Sequence, residues 1–189
     1  MVALFVAVAG AAAVQGTAAS KEQAEDAASF KEFTARVNEY LKLHKAVEKQ
    51  LPAMKDKEAL PEMITAHQQA LARKLAEKRP NAKPGDIFTH RSREAFRHVI
   101  RGVFRNPKTG TVTTTVSSIN RQRRTAKAVP LKVNGNYPDA EAETTFPPAL
   151  LQKLPLLPEE LAYRIVGRDL VLVDLKANMV VDLLHEVIP

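Results

Sequence analysis

Residues 162–187 read AYRIVGRDLVLVDLKANMVVDLLHEV, and the fold turns on how this stretch is read. Three runs rich in Val, Ile, Leu and Tyr are separated by turn residues at Gly167-Arg168 and Lys176-Ala177-Asn178. Such residues suit a pleated, half-buried surface, and short polar breaks between such runs signal hairpins. The spacing predicts a three-stranded antiparallel meander over 162–166, 169–175 and 179–184. Three strands do not stand alone in water, so one face of this sheet must pack on something else. Asp169, Asp174 and Asp182 fall on or beside the strands. With side chains alternating between faces, they are expected on the solvent side.

The partner for the sheet is written upstream. Phe30, Phe33, Val37, Tyr40, His44, Val47 and Leu51 recur at alternating steps of three and four, the stripe of an amphipathic helix. Pro52 and the polar MKDKEA stretch interrupt it. A second stripe follows with Leu60, Ile64, His67, Leu71 and Leu75, and it ends at Arg79-Pro80. Pro61 sits near its start, where a missing N–H is harmless. Two helices joined by a short turn fold back as an antiparallel hairpin. Its register sets Leu51 against Leu60, Val47 against Ile64, His44 against His67 and Tyr40 against Leu71. A third helix is expected over 89–105, with Phe96, Ile100, Val103 and Phe104 on its apolar face. Asn106-Pro107 and Gly110 stop it. TVTTTVSSI (111–119) reads as strand by composition or helix by spacing, and VNGNYPDAEAETTFPP (133–148) as a turn-rich loop. The class is α+β: a helical hairpin and a third, basic helix first, a small meander last. Residues 20–189 form one domain, with a helical part (20–106), a loop-rich connection (107–145) and a meander part (146–189).

The chain of 189 residues is 45% hydrophobic and 26% charged, ordinary for a folded protein. It has no cysteine, which removes disulfides, thiolate metal sites and cysteine nucleophiles. The net charge of +7 is unevenly spread: +2 over 20–82, +10 over 83–132 and −5 over 133–189. Residues 2–14, VALFVAVAGAAAV, carry no charge, and the first ionisable side chain is Lys21. The run is too short to span a bilayer but fits the apolar core of a secretory signal, with small residues near Ala13 or Ala19 for cleavage. It has no Lys or Arg before it. Residues 1–19 therefore read as a signal peptide or an uncleaved anchor, and the protein as periplasmic or secreted.

Two constellations stand out. Arg93, Arg97, Arg101 and Arg105 recur every four residues opposite the apolar face of the third helix, with Arg121, Arg123 and Arg124 as a possible extension. Guanidinium groups bind phosphates bidentately, so the natural ligands are phospholipid headgroups, lipid A phosphates or an acidic protein. No aromatic residues interleave with the arginines, and no nucleic-acid module is recognisable, which argues against nucleic acid. The competing expectation is that the acidic tail (Glu141, Glu143, Glu159, Glu160) neutralises this face internally. The second constellation is the His44/His67 layer, where two imidazoles could ligate one metal ion or a non-covalent haem. Two ligands are too few for a structural zinc. No cofactor is otherwise implied, and no nucleophile elbow, paired-His metalloprotease motif or Gly-rich phosphate loop points to an enzyme.

The segment FPPALLQKLPLLPEELAYRIVGRDLVLVDLKANMVVDLL (146–184), preceded by GDIF (85–88) and VPLKVNGNYPD (129–139), resembles an uncharacterised family of short exported bacterial proteins. The resemblance implies an envelope or extracellular setting and a β-rich C-terminus, and it carries no activity. The expectation is an exported, non-enzymatic binding or scaffolding module that uses its arginine face. The alternative is a periplasmic metal- or haem-responsive protein built on His44 and His67.

Overall fold

The structure, a computed structural model, describes residues 12–52, 60–106, 114, 116–117, 131–138 and 146–189. It is α+β, as the sequence predicts: the described residues include three long helices, a short helix before the strands and a three-stranded sheet. Helix α1 spans Ala12–Glu48, α2 Pro61–Lys78, α3 His90–Arg105 and α4 Pro148–Leu151. The strands are β1 (Leu161–Val166), β2 (Asp169–Asp174) and β3 (Met179–Leu184). They form an antiparallel meander in the order β1-β2-β3, within a residue or so of the bounds expected from the turn residues. Gly167 and Asn178 both adopt positive φ in the two hairpin turns, which is why those positions carry residues that tolerate it.

Helix α1 is continuous from Ala12, so the expected boundary at residue 19 falls inside a helix. No helix among the described residues is long and apolar enough to cross a membrane. Helix α3 starts where Thr89 caps it by accepting a hydrogen bond from Ser92 N at 3.4 Å. Thr114, Val116 and Ser117 are helical, and the rest of 111–119 lies outside the described residues.

The stripe on α1 is buried, and α3 as well as α2 lies against it, so the expected pairing with α2 accounts for only part of it. Val47 is 1% exposed, whereas Ile64, its expected partner, is 39% exposed and Leu60 61%. Helix α2 buries its apolar face further along, through Leu71 and Leu75. Helix α1 meets the sheet as well: Phe33 stacks with Tyr163 of β1 at 6.3 Å, and Tyr40 and His44 reach Asp174 at the end of β2. A spacing of three and four marks the buried side of a helix and does not say what lies across from it.

The sheet is covered on both faces. One face carries Tyr163, Ile165, Leu170, Leu172 and Leu184 into a single cluster with Phe33, Phe88, Phe96 and Ile100 from the helical side. Phe96 lies 5.0–5.2 Å from the rings of Phe30, Phe33 and Phe88. The opposite face, Val166, Val171, Val173, Val180 and Leu183, is closed by Tyr137 with Leu131 and Val133. The segment 131–138 also hydrogen-bonds to the edge of β3, from Asn134 N to Val180 O and from Val180 N to Gly135 O. Part of the stretch read as a loop therefore serves as a lid on the sheet. With both faces of the sheet covered, the solvent placement expected for the aspartates is overturned for two of them: Asp174 and Asp182 are 0% exposed, while Asp169 is partly exposed.

The β2–β3 register shifts by one residue between Leu172 and Val173, so that Asp182 pairs with Leu172 and Val180 with Val173. In an unbroken strand Asp182 would share the face of Val180, under Tyr137. The bulge moves it to the face of Leu172, toward the helices.

Candidate functional site

The four arginines of α3 are not equivalent. A step of four residues turns an α-helix by about 400°, so a row of such steps drifts by about 40° each time around the cylinder. Arg93, at one end, is half-buried; its Nε is buried without a hydrogen bond, and a guanidinium nitrogen lies 3.9 Å from where a Cβ on Gly85 would stand. It packs over the 85–88 turn and is only partly exposed. Arg97 is half-buried and pairs with Glu94 on its own helix, Nη1 to Oε1 at 3.2 Å. Arg101 and Arg105 are exposed and form no ion pair with the described residues, and Arg91 is likewise exposed. Arg121, Arg123 and Arg124 lie outside the described residues.

A cleft of about 830 Å³ runs between α1 and α3, with Arg91, Arg97, Arg101 and Arg105 on one wall and Glu25 and Asp26 on the other. Asp26 Oδ2 sits 2.6 Å from His98 Nδ1. The carboxylates facing α3 across this cleft thus come from α1. The tail acid Glu160 is taken instead by Lys45, at 3.3 Å. Glu141 and Glu143 are outside the described residues.

His44 is 0% exposed, and its Nδ1 donates to Asp174 Oδ2 at 2.6 Å. The Tyr40 hydroxyl donates to the same oxygen at 2.6 Å, and Ala177 N to the other at 2.9 Å. His44 Nε2 is buried without a hydrogen bond, with Glu48 Oε2 at 3.6 Å, and Glu48 in turn receives Lys176 Nζ at 2.8 Å. Burial alone pulls the His44 pKa down, but the hydrogen bond and charge of Asp174, with the charge of Glu48, outweigh it and the pKa is raised. Burial and the Asp174 carboxylate push the Tyr40 phenol well above its usual range, so it stays a neutral donor. The hydrogen bond to Glu48 raises the pKa of Lys176. The ensemble is a buried, charged tie between α1 and the end of β2. His67 is half-buried on α2. Among the described residues no group of three or more His, Asp or Glu is placed to hold a metal ion.

Two further anchors escape sequence reading. Asp182 accepts from Gly85 N at 2.9 Å, Ile87 N at 2.7 Å, Phe88 N at 2.8 Å and its own neighbour Leu183 N at 2.7 Å. Burial pushes its pKa up, and the four amides oppose the rise. The GDIF turn is thereby wrapped around a strand carboxylate, which sets the start of α3. Arg79, at the end of α2, lies 5.0 Å over the Tyr40 ring and donates to Asn134 Oδ1 and Val181 O at 3.2 Å each. It joins α2 to α1, the lid segment and β3. Asp182 carries one sequence signal, a charge inside an apolar run, whereas Arg79 lies in a polar helix end and carries none.

No protein-family model, curated protein or solved structure matches this chain. Fold and site together define an α+β protein with a tied core and an exposed basic face on α3.

Proposed function

We propose that the protein is a non-enzymatic binding module of the cell envelope that engages an anionic partner through the exposed face of α3. The reading rests on one clustering. Arg91, Arg101 and Arg105 stand exposed along one cleft wall on α3, with no ion pair to the described residues. An unpaired row of guanidinium groups attracts phosphate and carboxylate surfaces and holds them bidentately. The uncharged stretch 2–14, read as an export signal, makes an anionic envelope surface the natural partner.

Flotation with vesicles of neutral lipid, with and without phosphatidylglycerol, tests this reading. Binding should appear only with the anionic lipid and weaken as salt rises, because surface electrostatics are screened. The triple variant R91Q/R101Q/R105Q should lose it. Equal retention of the wild type and the triple variant would sink the reading.

A further inference from the structure

Arg101 and Arg105 border a second cleft as well. About 480 Å³ in volume, it lies between the C-terminal end of α3 and the residues that follow β3, and is lined by Arg101, Phe104, Arg105, Arg168, Glu186 and Ile188 among others. Its third cation is built in. Arg168 belongs to the β1–β2 turn, and its backbone carbonyl accepts from both Val187 N and Ile188 N at 3.0 Å. Its Nε donates back to Ile188 O at 3.1 Å, which fixes the plane of the guanidinium while both Nη atoms make no hydrogen bond to the described residues. The wall opposite is held too. Asp169 Oδ1 accepts from Glu186 N at 3.0 Å, and Glu186 sits at φ +53°, a left-handed conformation that a non-glycine residue keeps only when its surroundings impose it.

Among the side chains that line the cleft, three arginines stand against one acidic group, Glu186. A phosphomonoester carries about −1.5 to −2 at neutral pH and offers three oxygens, against one negative charge for a phosphodiester. We propose that Arg101, Arg105 and Arg168 form a binding site for a phosphomonoester dianion, with the half-buried Phe104 as an apolar wall beside it. The proposal rests on the anion-binding reading of α3 and narrows it, adding Arg168 and a charge state. The pre-set Arg168 fork supplies two parallel donors without the ordering cost of a free side chain.

The full chain is tested in two arms. Vesicles carrying phosphatidic acid, a phosphomonoester, are compared with phosphatidylglycerol vesicles matched in surface potential, and inorganic phosphate is titrated calorimetrically. Losing a hydrogen bond to a charged ligand weakens binding by about tenfold or more. Arg168→Gln and, separately, Arg105→Gln should each reduce phosphatidic acid or phosphate binding by that amount. Arg168→Gln should reduce phosphatidylglycerol binding by less than it reduces phosphatidic acid binding, since only a general charge attraction is lost there. A preference for phosphatidic acid that both variants abolish supports the site with a lipid ligand. Phosphate heat that both abolish supports it with a soluble ester. Equal binding of the two lipids together with no phosphate heat, or unaltered binding by Arg168→Gln, overturns the site while leaving the α3 reading intact. Failure of every anionic vesicle and of phosphate overturns both.

Discussion

His44 and Asp174 meet at 2.6 Å with both side chains fully buried, across 130 residues of sequence. The contact closes α1 onto the end of β2, and Tyr40 shares the same carboxylate oxygen from one helical turn earlier. A buried pair of this kind contributes little over a well-packed apolar one, but breaking it by removing one partner is costly. That asymmetry governs the first two predictions.

Asp174→Ala strands three donors, the Tyr40 hydroxyl, His44 Nδ1 and Ala177 N, in a dry interior. The expected loss is about 3–5 kcal/mol of unfolding free energy, read from the urea midpoint. A loss within experimental error would show that water reaches the site.

Stability should depend on His44 ionisation. Its folded pKa is raised above the ordinary value of 6.5, so its contribution is full below that value and is lost as the pH rises through the folded pKa. Asp174, Glu48 and Lys176 act on the ring, with the Tyr40 phenol beside it and Glu160 within electrostatic reach, and the net effect of the charges favours the imidazolium. Urea midpoints measured upward from pH 6.5 should fall for the wild type. His44→Gln should be less stable at the acid end and flat through this window; a wild-type midpoint that holds constant there would contradict the assignment.

Asp182→Ala removes the acceptor for the amides of Gly85, Ile87 and Phe88. Each buried donor left without a partner costs about 1–3 kcal/mol, so the variant should be destabilised by about 3 kcal/mol or more. Hydrogen exchange locates the effect: those three amides should lose protection first, ahead of the strands.

Phe96→Ala opens the centre of the aromatic cluster, where four ring contacts converge from α1, the 85–88 turn and β1. A loss of about 3–5 kcal/mol is expected from the removed ring and the cavity left behind. Phe96→Leu, which refills part of the space, should recover a good share of it in the same thermal or urea melt.

Arg79→Lys keeps the charge but not the fork. A lysine cannot donate to Asn134 Oδ1 and Val181 O together while lying over Tyr40. The lysine variant should therefore melt close to Arg79→Ala, about 1–2 kcal/mol below the wild type. Recovery to the wild-type melting point by lysine would mean that charge alone matters at this position.

Much of the local structure was readable from the chain itself. The strands of the meander, the start of α2 at Pro61 and the span of α3 follow from periodicity and turn chemistry within a few residues. Those signals are local, set by which residues tolerate a turn, a cap or a pleat. The basic face of α3 was readable in the same way, as a row of four. Its division was not: Arg93 is folded over the 85–88 turn and Arg97 is paired with Glu94, because a four-residue step drifts around the helix and meets a different neighbour each time.

The sequence by itself determined that the protein is helical first and β last, that α1 buries one side, and that positive charge concentrates in the middle of the chain. Only the tertiary structure decided what each buried side faces. It set α3, α2 and the sheet against the α1 stripe, laid 131–138 over the second face of the sheet, and enclosed Asp174 and Asp182 on the helix side. It placed a bulge that turns Asp182 to the helix side, and it brought Arg168 to the cleft of Arg101 and Arg105. The reason is physical. A pattern of apolar residues records that a surface leaves water, a property each segment carries alone. The identity of the opposing surface is a property of pairs distant in sequence, and a single buried carboxylate discloses its role only when the donors that surround it are in place.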